Sequence, residues 1–163
     1  MSEAGTNPSV LGTPIDAWYV WIGLAAASAV TLGVASSVPV APPPDASGAA
    51  ETADHVATSQ YDSTGEHPIG NANAVLIGGD TLSLRGPGGV ADAEFGYDPV
   101  TPATDGKLER VLRGEPPERL FDSPAAFDDA AADARDTEPE WHETDRFTVR
   151  RVTWEDVDVT LAG

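Results

Sequence analysis

The chain contains no cysteine, and that single absence removes disulfides, thiolate metal sites and thiol nucleophiles together. It also means that cysteine usage says nothing about the compartment. Cations are nearly as scarce. Lys107 is the one lysine beside eight arginines, and no basic residue precedes Arg85. Nucleic-acid binding needs clustered Lys and Arg to neutralise phosphates, so nucleic acid is excluded as an expected partner. Anionic lipid headgroups are disfavoured as surface ligands for the same reason.

The motifs of common chemistry are missing too. His55, His67 and His142 stand apart, without an HExxH or other ligand spacing. No GxSxG context marks a nucleophilic serine. The glycine clusters at Gly78, Gly79 and Asp80 and at Gly86, Pro87, Gly88 and Gly89 lack the GK[ST] ending of a phosphate loop, and both are expected to be turns. Asn7 is followed by proline, so no N-glycosylation sequon exists. Carboxylates are so abundant that choosing two as an acid/base pair without geometry would be arbitrary. The sequence therefore supplies no catalytic, cofactor-binding or metal-binding residue, and no cofactor is expected.

What is present is acid. The 163 residues carry 27 acidic and 9 basic side chains, a formal net charge of −18, and 16 of the acids are aspartate. Two readings compete. High charge with little apolar content means disorder, because too little surface is buried to offset chain entropy. The same charge on a folded domain means life in molar salt, where a Debye length of about 3 Å screens self-repulsion. Hydrophobic residues make up 40% of the chain, and amphipathic segments recur late in it, which favours the folded, halophilic reading.

The run that opens at Ala17 and closes at Val38 (AWYVWIGLAAASAVTLGVASSV) has 22 residues and no charge. As a helix it would span about 33 Å, the thickness of a bilayer's hydrocarbon core. Trp18, Tyr19 and Trp21 cluster at one end, where aromatic rings favour the headgroup level. Residues 17–38 are thus expected to be a transmembrane helix in contact with membrane lipid. A cleaved signal peptide is the alternative. It calls for a basic leader and a shorter core, whereas residues 1–16 form a tail with Glu3 and Asp16 and no Lys or Arg. Small residues such as Gly23, Ala27 and Gly33 would let a second helix approach in lipid. Positive-inside counting has nothing to count here. The Pro-rich stretch and acidic domain that follow suggest that the C-terminal part lies outside the cell membrane, with a cytoplasm-facing domain as the alternative.

Residues 39–70 read as a Pro/Ala/Ser-rich flexible linker. Pro42, Pro43 and Pro44 favour extended polyproline geometry, with a short helix near 49–58 at most. Residues 71–163 read as an acidic α+β domain of antiparallel strands with about two helices. Runs at 74–77 and 81–84 predict strands, and 90–97 a weaker third. KLERVLR at 107–113 places Leu108, Val111 and Leu112 on one helical face, with Gly114 as a stop. Ser123 followed by Pro124 predicts the start of a second helix over 125–135. RFTVRRVTW at 146–154 and VDVTL at 157–161 alternate and predict a terminal hairpin through Glu155 and Asp156. Arg146, Arg150 and Arg151, with Arg110, Arg113 and Arg119, are expected to pair with internal carboxylates, the alternative being a binding patch. Trp141 and Trp154 are core or partner-surface candidates.

The segments PIDAWYVWIGLA at 14–25, APPPDA at 41–46, RVLRGEPPERLFDSPAAF at 110–127 and RRVTWEDVDVTLAG at 150–163 resemble a group of uncharacterised haloarchaeal single-pass membrane proteins. The resemblance covers most of the chain outside the linker. It implies an archaeal halophile and a domain of unknown function, and brings no catalytic residue. It also implies an association with type IV pilus or secretion machinery. The chain departs from a true archaeal pilin, since no basic residue precedes the apolar run and the prolines at 39–44 would break a long shaft helix. Two functions follow as expectations. The first is a non-enzymatic, membrane-anchored accessory protein presenting its domain to protein partners in a membrane or surface assembly. The second is an enzyme or ligand receptor, which a deep pocket collecting polar groups from different strands would favour.

Overall fold

The computed structural model describes residues 41–97 and 99–163. The tail at 1–16 and the apolar run at 17–38 lie outside the described residues. Among the described residues no helix is long and apolar enough to cross a membrane.

These residues form an α+β unit with three α-helices, α1 (Ala46–Ala57), α2 (Gly106–Leu112) and α3 (Pro124–Asp136). Eight strands accompany them: β1 (Ser63–Pro68), β2 (Ala74–Ile77), β3 (Thr81–Gly86), β4 (Gly89–Glu94), β5 (Thr101–Pro102), β6 (His142–Glu143), β7 (Arg146–Trp154) and β8 (Val157–Ala162). The strands make two four-stranded sheets, ordered β1-β7-β8-β5 and β4-β3-β2-β6. Pairing is antiparallel throughout except for the short parallel pair β5 and β8.

The alternation of β7 organises the whole unit. Phe147 and Val149 point to one face and are fully buried with Ala49, Ala53 and Val56 of α1 and with Val75, Leu82 and Leu84 of the second sheet. Val152 and Trp154 point to the other face, where they meet Val111 and Leu112 of α2 and Phe127 and Ala131 of α3. A strand buried on both faces thus carries two separate cores. The hairpin expected at the C-terminus is present, with Val152 opposite Val159 and Trp154 opposite Val157. Glu155 makes its turn at a φ of 54°, in the left-handed region that costs a non-glycine residue roughly 1 kcal/mol.

The helices start and stop where local chemistry says they should. Ser123 Oγ accepts from the Ala126 N–H at 3.2 Å, and Pro124 occupies the first turn of α3. Gly114, at a φ of 109°, follows α2 and ends it in a conformation that only glycine adopts freely. Between them Leu120 and Phe121 pack into the second core, as expected.

The main difference from the sequence reading lies at 41–70. The stretch expected to be a flexible linker is folded into the unit, which begins at Ala41 and not near 71. Asp45 caps α1 by accepting from the Gly48 N–H at 3.0 Å, and Ala46, Ala49, Ala50, Ala53, Val56 and Ala57 are all buried. The face is apolar but made of alanine, so it carries a weak hydrophobic signal while permitting close approach. Opposite it lies Gly65 of β1, where an added Cβ would stand 2.8 Å from Val56 Cγ2 and 3.0 Å from Thr52 Cγ2. The Thr52 and Val56 side chains therefore rest directly on the Gly65 backbone. β1 then pairs along its length with β7, from Ser63 opposite Arg151 to Pro68 opposite Arg146.

The triproline is likewise docked on the unit. Pro44 is buried, and Asn71 Nδ2 donates to the Pro43 carbonyl at 3.5 Å. A Cβ at Gly88 would collide with the Pro42 carbonyl oxygen. Residues 41–44 are therefore a strap across the turn between β3 and β4, not a free spacer.

Candidate functional site

The arginines show how the fold uses its few cations. Arg150 and Arg151 are neighbours on β7 and so point to opposite faces of the sheet. Arg151 donates to the carbonyl of Ala57, the last residue of α1, at 2.7 Å, and also stands 3.3 Å from Asp158. Arg150 donates to the Val111 carbonyl in the final turn of α2 at 2.6 Å. Each guanidinium thus meets a helix C-terminus, where unpaired carbonyls and the negative end of the dipole favour a cation. Arg135 of α3 donates to Thr101 Oγ1 at 2.7 Å, tying that helix to β5. The expected pairing with an internal carboxylate is seen for Arg151, through Asp158, whereas Arg150 meets a backbone carbonyl instead. Division between two faces prevents Arg150 and Arg151 from forming one basic patch.

The outer end of α2 holds an ion pair of favourable geometry. Arg110 donates through Nε at 2.9 Å and through Nη2 at 2.7 Å to the two oxygens of Glu115. This fork holds the Glu115 carboxyl below the usual glutamate range and raises the Arg110 guanidinium, chiefly through the hydrogen bonds themselves. A lowered carboxyl pKa adds stability above the ordinary glutamate value, and that contribution is lost as pH falls through the lowered one. Carbon-13 NMR titration is expected to place the Glu115 midpoint below that of a free glutamate. Arg110→Gln should return it to the ordinary range, as should, in part, molar salt. An unchanged midpoint in Arg110→Gln would show that the pair is not formed in solution.

A cleft of about 510 Å³ lies beside these elements. Thr64 and Glu66 of β1 and Arg146 and Thr148 of β7 form one wall, Glu109 and Leu112 of α2 with Arg113 just after it a second, and His142, Glu143, Thr144 and Asp145 a third. Its charges largely answer one another. Arg146 stands 3.5 Å from Glu66, and Arg113 pairs with Glu109 one helical turn away. The Arg146–Glu66 pair is exposed and Glu109 alone of the four is half-buried, a setting in which such contacts contribute only about 0–1 kcal/mol. Among the described residues no three His, Asp or Glu side chains converge as a metal site, and no buried side-chain polar atom lacks a hydrogen-bond partner. The cleft can hold a small polar molecule.

The three histidines lie on three different elements and not in loops. His55 is exposed on α1. His67 lies on β1, with Nε2 3.7 Å from Asp45 and Nδ1 3.5 Å from Thr52, and His142 lines the cleft. Of the two late tryptophans, Trp154 packs on Phe127 at 6.4 Å between ring centroids. Trp141 lies under the Arg85 guanidinium, 4.4 Å from its ring centroid, on the outer side of the second sheet. The glycine clusters at 78–80 and 86–89 are the turns on either side of β3. Sequence reasoning did not find the cleft, because its walls come from stretches near 65, 110 and 145 that only the fold joins.

Comparison with protein families matches residues 12–152 to DUF7283, a family of unknown function. The match covers most of the chain, and the chain belongs to this family. Comparisons with curated proteins and with solved structures find no match.

Proposed function

Taking the chain as a member of DUF7283, we propose that it is a single-pass, membrane-anchored accessory protein of a halophilic archaeon, without enzymatic activity. It holds an acidic α+β domain at the cell membrane, on the outer side, for protein partners in a surface, secretion or pilus-type assembly. The observation that carries this reading is the extent of the family match, which runs from residue 12 through the apolar run at 17–38 into the domain. One family match thus covers both run and domain, as it would for an anchor and its cargo. The use of arginines inside the fold supports the halophilic part, since it leaves carboxylates to dominate the surface.

The cleft favours a second reading, a receptor for a small polar ligand, because it gathers polar groups from two strands and a helix. The paired state of its charges ranks this below the accessory role. A cytoplasm-facing adaptor is the remaining alternative and differs only in orientation.

Protease treatment of intact cells in molar salt, with a tag at the C-terminus, tests the proposal. Loss of the tag without lysis supports an outward domain and a surface assembly. Protection until lysis would turn the domain inward and overturn the surface reading.

The halophilic part has its own test. The Debye length falls from about 10 Å at 0.1 M salt to about 3 Å at 1 M, so repulsion among surface carboxylates should fade over that range. The thermal midpoint is expected to climb steadily with KCl up to molar concentrations. A midpoint that stays level or falls would mean that the net charge of −18 is not a salt adaptation.

A further inference from the structure

We infer that the groove between the edge strands β5 and β6 is the docking place for an extended, basic segment of a protein partner. The inference rests on the accessory role proposed above, and names where the domain binds and what chemistry it binds.

Three observations lead there. First, the two sheets are closed on one side and open on the other. β1 and β4 are the edges on one side, and α1 lies against both. β5 and β6 are the opposite edges. Between them lies a cleft of about 160 Å³, bounded by Ile77, Pro102 and Ala134 and by residues of the 137–142 stretch. Thr104 and His142 line both this cleft and the larger one of about 510 Å³, so the two adjoin as one groove.

Second, one bank of the groove is an open strand edge. β6 pairs only with β2, Ala74 standing opposite Glu143 and Val75 opposite His142. The Thr144 N–H donates to the Asn73 carbonyl at 3.2 Å. Hydrogen bonding alternates along an antiparallel strand, so the backbone groups of Trp141 and Glu143 point away from β2. Among the described residues no other backbone pairs with them. An edge of this kind accepts an added strand. Pro139, which lacks an N–H, keeps that strand short.

Third, the charges set the sign of the partner. Acid is common everywhere on this chain, so the groove and the edge mark the place and the charge only selects what fits it. Asp105, Glu138, Glu140, Glu143 and Asp145 line the groove, and all are exposed. None of them is in an ion pair among the described residues. Arg113 and Arg146, the cations on the same walls, are already paired with Glu109 and Glu66. An extended segment alternates its side chains, so apolar residues would face Ile77 and Pro102 while basic ones meet the free carboxylates.

The test uses the full-length chain in detergent micelles and molar KCl. A Debye length of about 3 Å there leaves only carboxylates in direct contact to attract a peptide. The probe is a short fluorescent peptide alternating arginine and valine. One control peptide carries glutamate for arginine, and the other has alternate backbone nitrogens methylated. The arginine peptide is expected to bind about ten-fold more tightly than either control. The combined variant Glu138→Gln, Glu140→Gln and Glu143→Gln should bind it several-fold more weakly. Asp128→Asn with Asp129→Asn, on the exposed face of α3, should not. All these positions are exposed, and unchanged circular dichroism would show that the fold is kept. Equal losses in the two variants would reduce the attraction to net charge and overturn the groove. Equal binding of the methylated peptide would overturn the added strand, and competition by free arginine as strong as by the peptide would give the groove to a small cation. Absence of binding would overturn the inference outright, while the accessory role is judged separately by the protease test on intact cells.

Discussion

Trimming the chain to residues 71–163 is expected to abolish cooperative folding, while a chain beginning at Ala41 unfolds in one transition. The expectation follows from what α1 and β1 cover. Without α1, Phe147, Val149, Leu82 and Leu84 lose the alanine face that seals them. Removal of β1 leaves β7 unpaired along one edge from Arg146 to Arg151. Each large apolar side chain returned to water costs about 1.5–3 kcal/mol, and a domain of this kind has only about 5–15 kcal/mol in total. Exposure of four such residues, about 6–12 kcal/mol, with the loss of Ala49, Ala53 and Val56 as core, is as large as that reserve. The Arg151 guanidinium would also lose the Ala57 carbonyl that it caps. Circular dichroism and urea unfolding in molar salt would check the result. A sigmoidal transition for 71–163 equal to that of 41–163 would restore the view that 41–70 is a passive tether.

Phe127→Ala should produce the largest effect of any single substitution in the second core, a loss of about 3–5 kcal/mol. Phe127 is fully buried at the start of α3. Its ring stands 5.3 Å from Phe121 and 6.4 Å from Trp154, both tilted contacts of the kind that add about 0.5–1.5 kcal/mol beyond burial. Alanine there would leave a void under α3, whose other fully buried side chain is only Ala131. The midpoint in urea is expected to fall sharply with little change in slope, and Trp154 fluorescence should follow the same curve. Phe127→Leu, which keeps most of the volume, should lose far less. A shift below about 1 kcal/mol for Phe127→Ala would mean that α3 is held by its caps and by Arg135, not by its core contact.

The contrast between these two regions explains what the sequence could and could not reveal. The second core was legible because its elements announce themselves locally. RFTVRRVTW and VDVTL alternate, KLERVLR has helical spacing, and Ser123 with Pro124 is a helix start, so each appears within a residue or two of its expected place. α1 was expected as a short helix near 49–58, but its place in the core escaped because its buried face is alanine, too weakly apolar to separate from a mobile, Ala-rich tether. β1 escaped for a different reason. STGEHP has no alternating apolar residues, holds the glycine that lets α1 approach, and owes its strand state to pairing with β7 some eighty residues later. The roles of Arg150 and Arg151 depended on where two helices end, which no pattern within β7 can show. The cleft is a product of the same distant pairings, so it had no sequence signal at all.

The measurement that tests the account most directly is alkaline carbonate extraction of membranes from cells producing the full chain, assayed for the C-terminal tag. A membrane anchor at residues 17–38 predicts that the chain stays in the membrane pellet and is released only by detergent, because the domain is covalently held to the anchor. Release of the intact chain into the carbonate supernatant would contradict the anchor, and with it the presentation of the domain at a membrane.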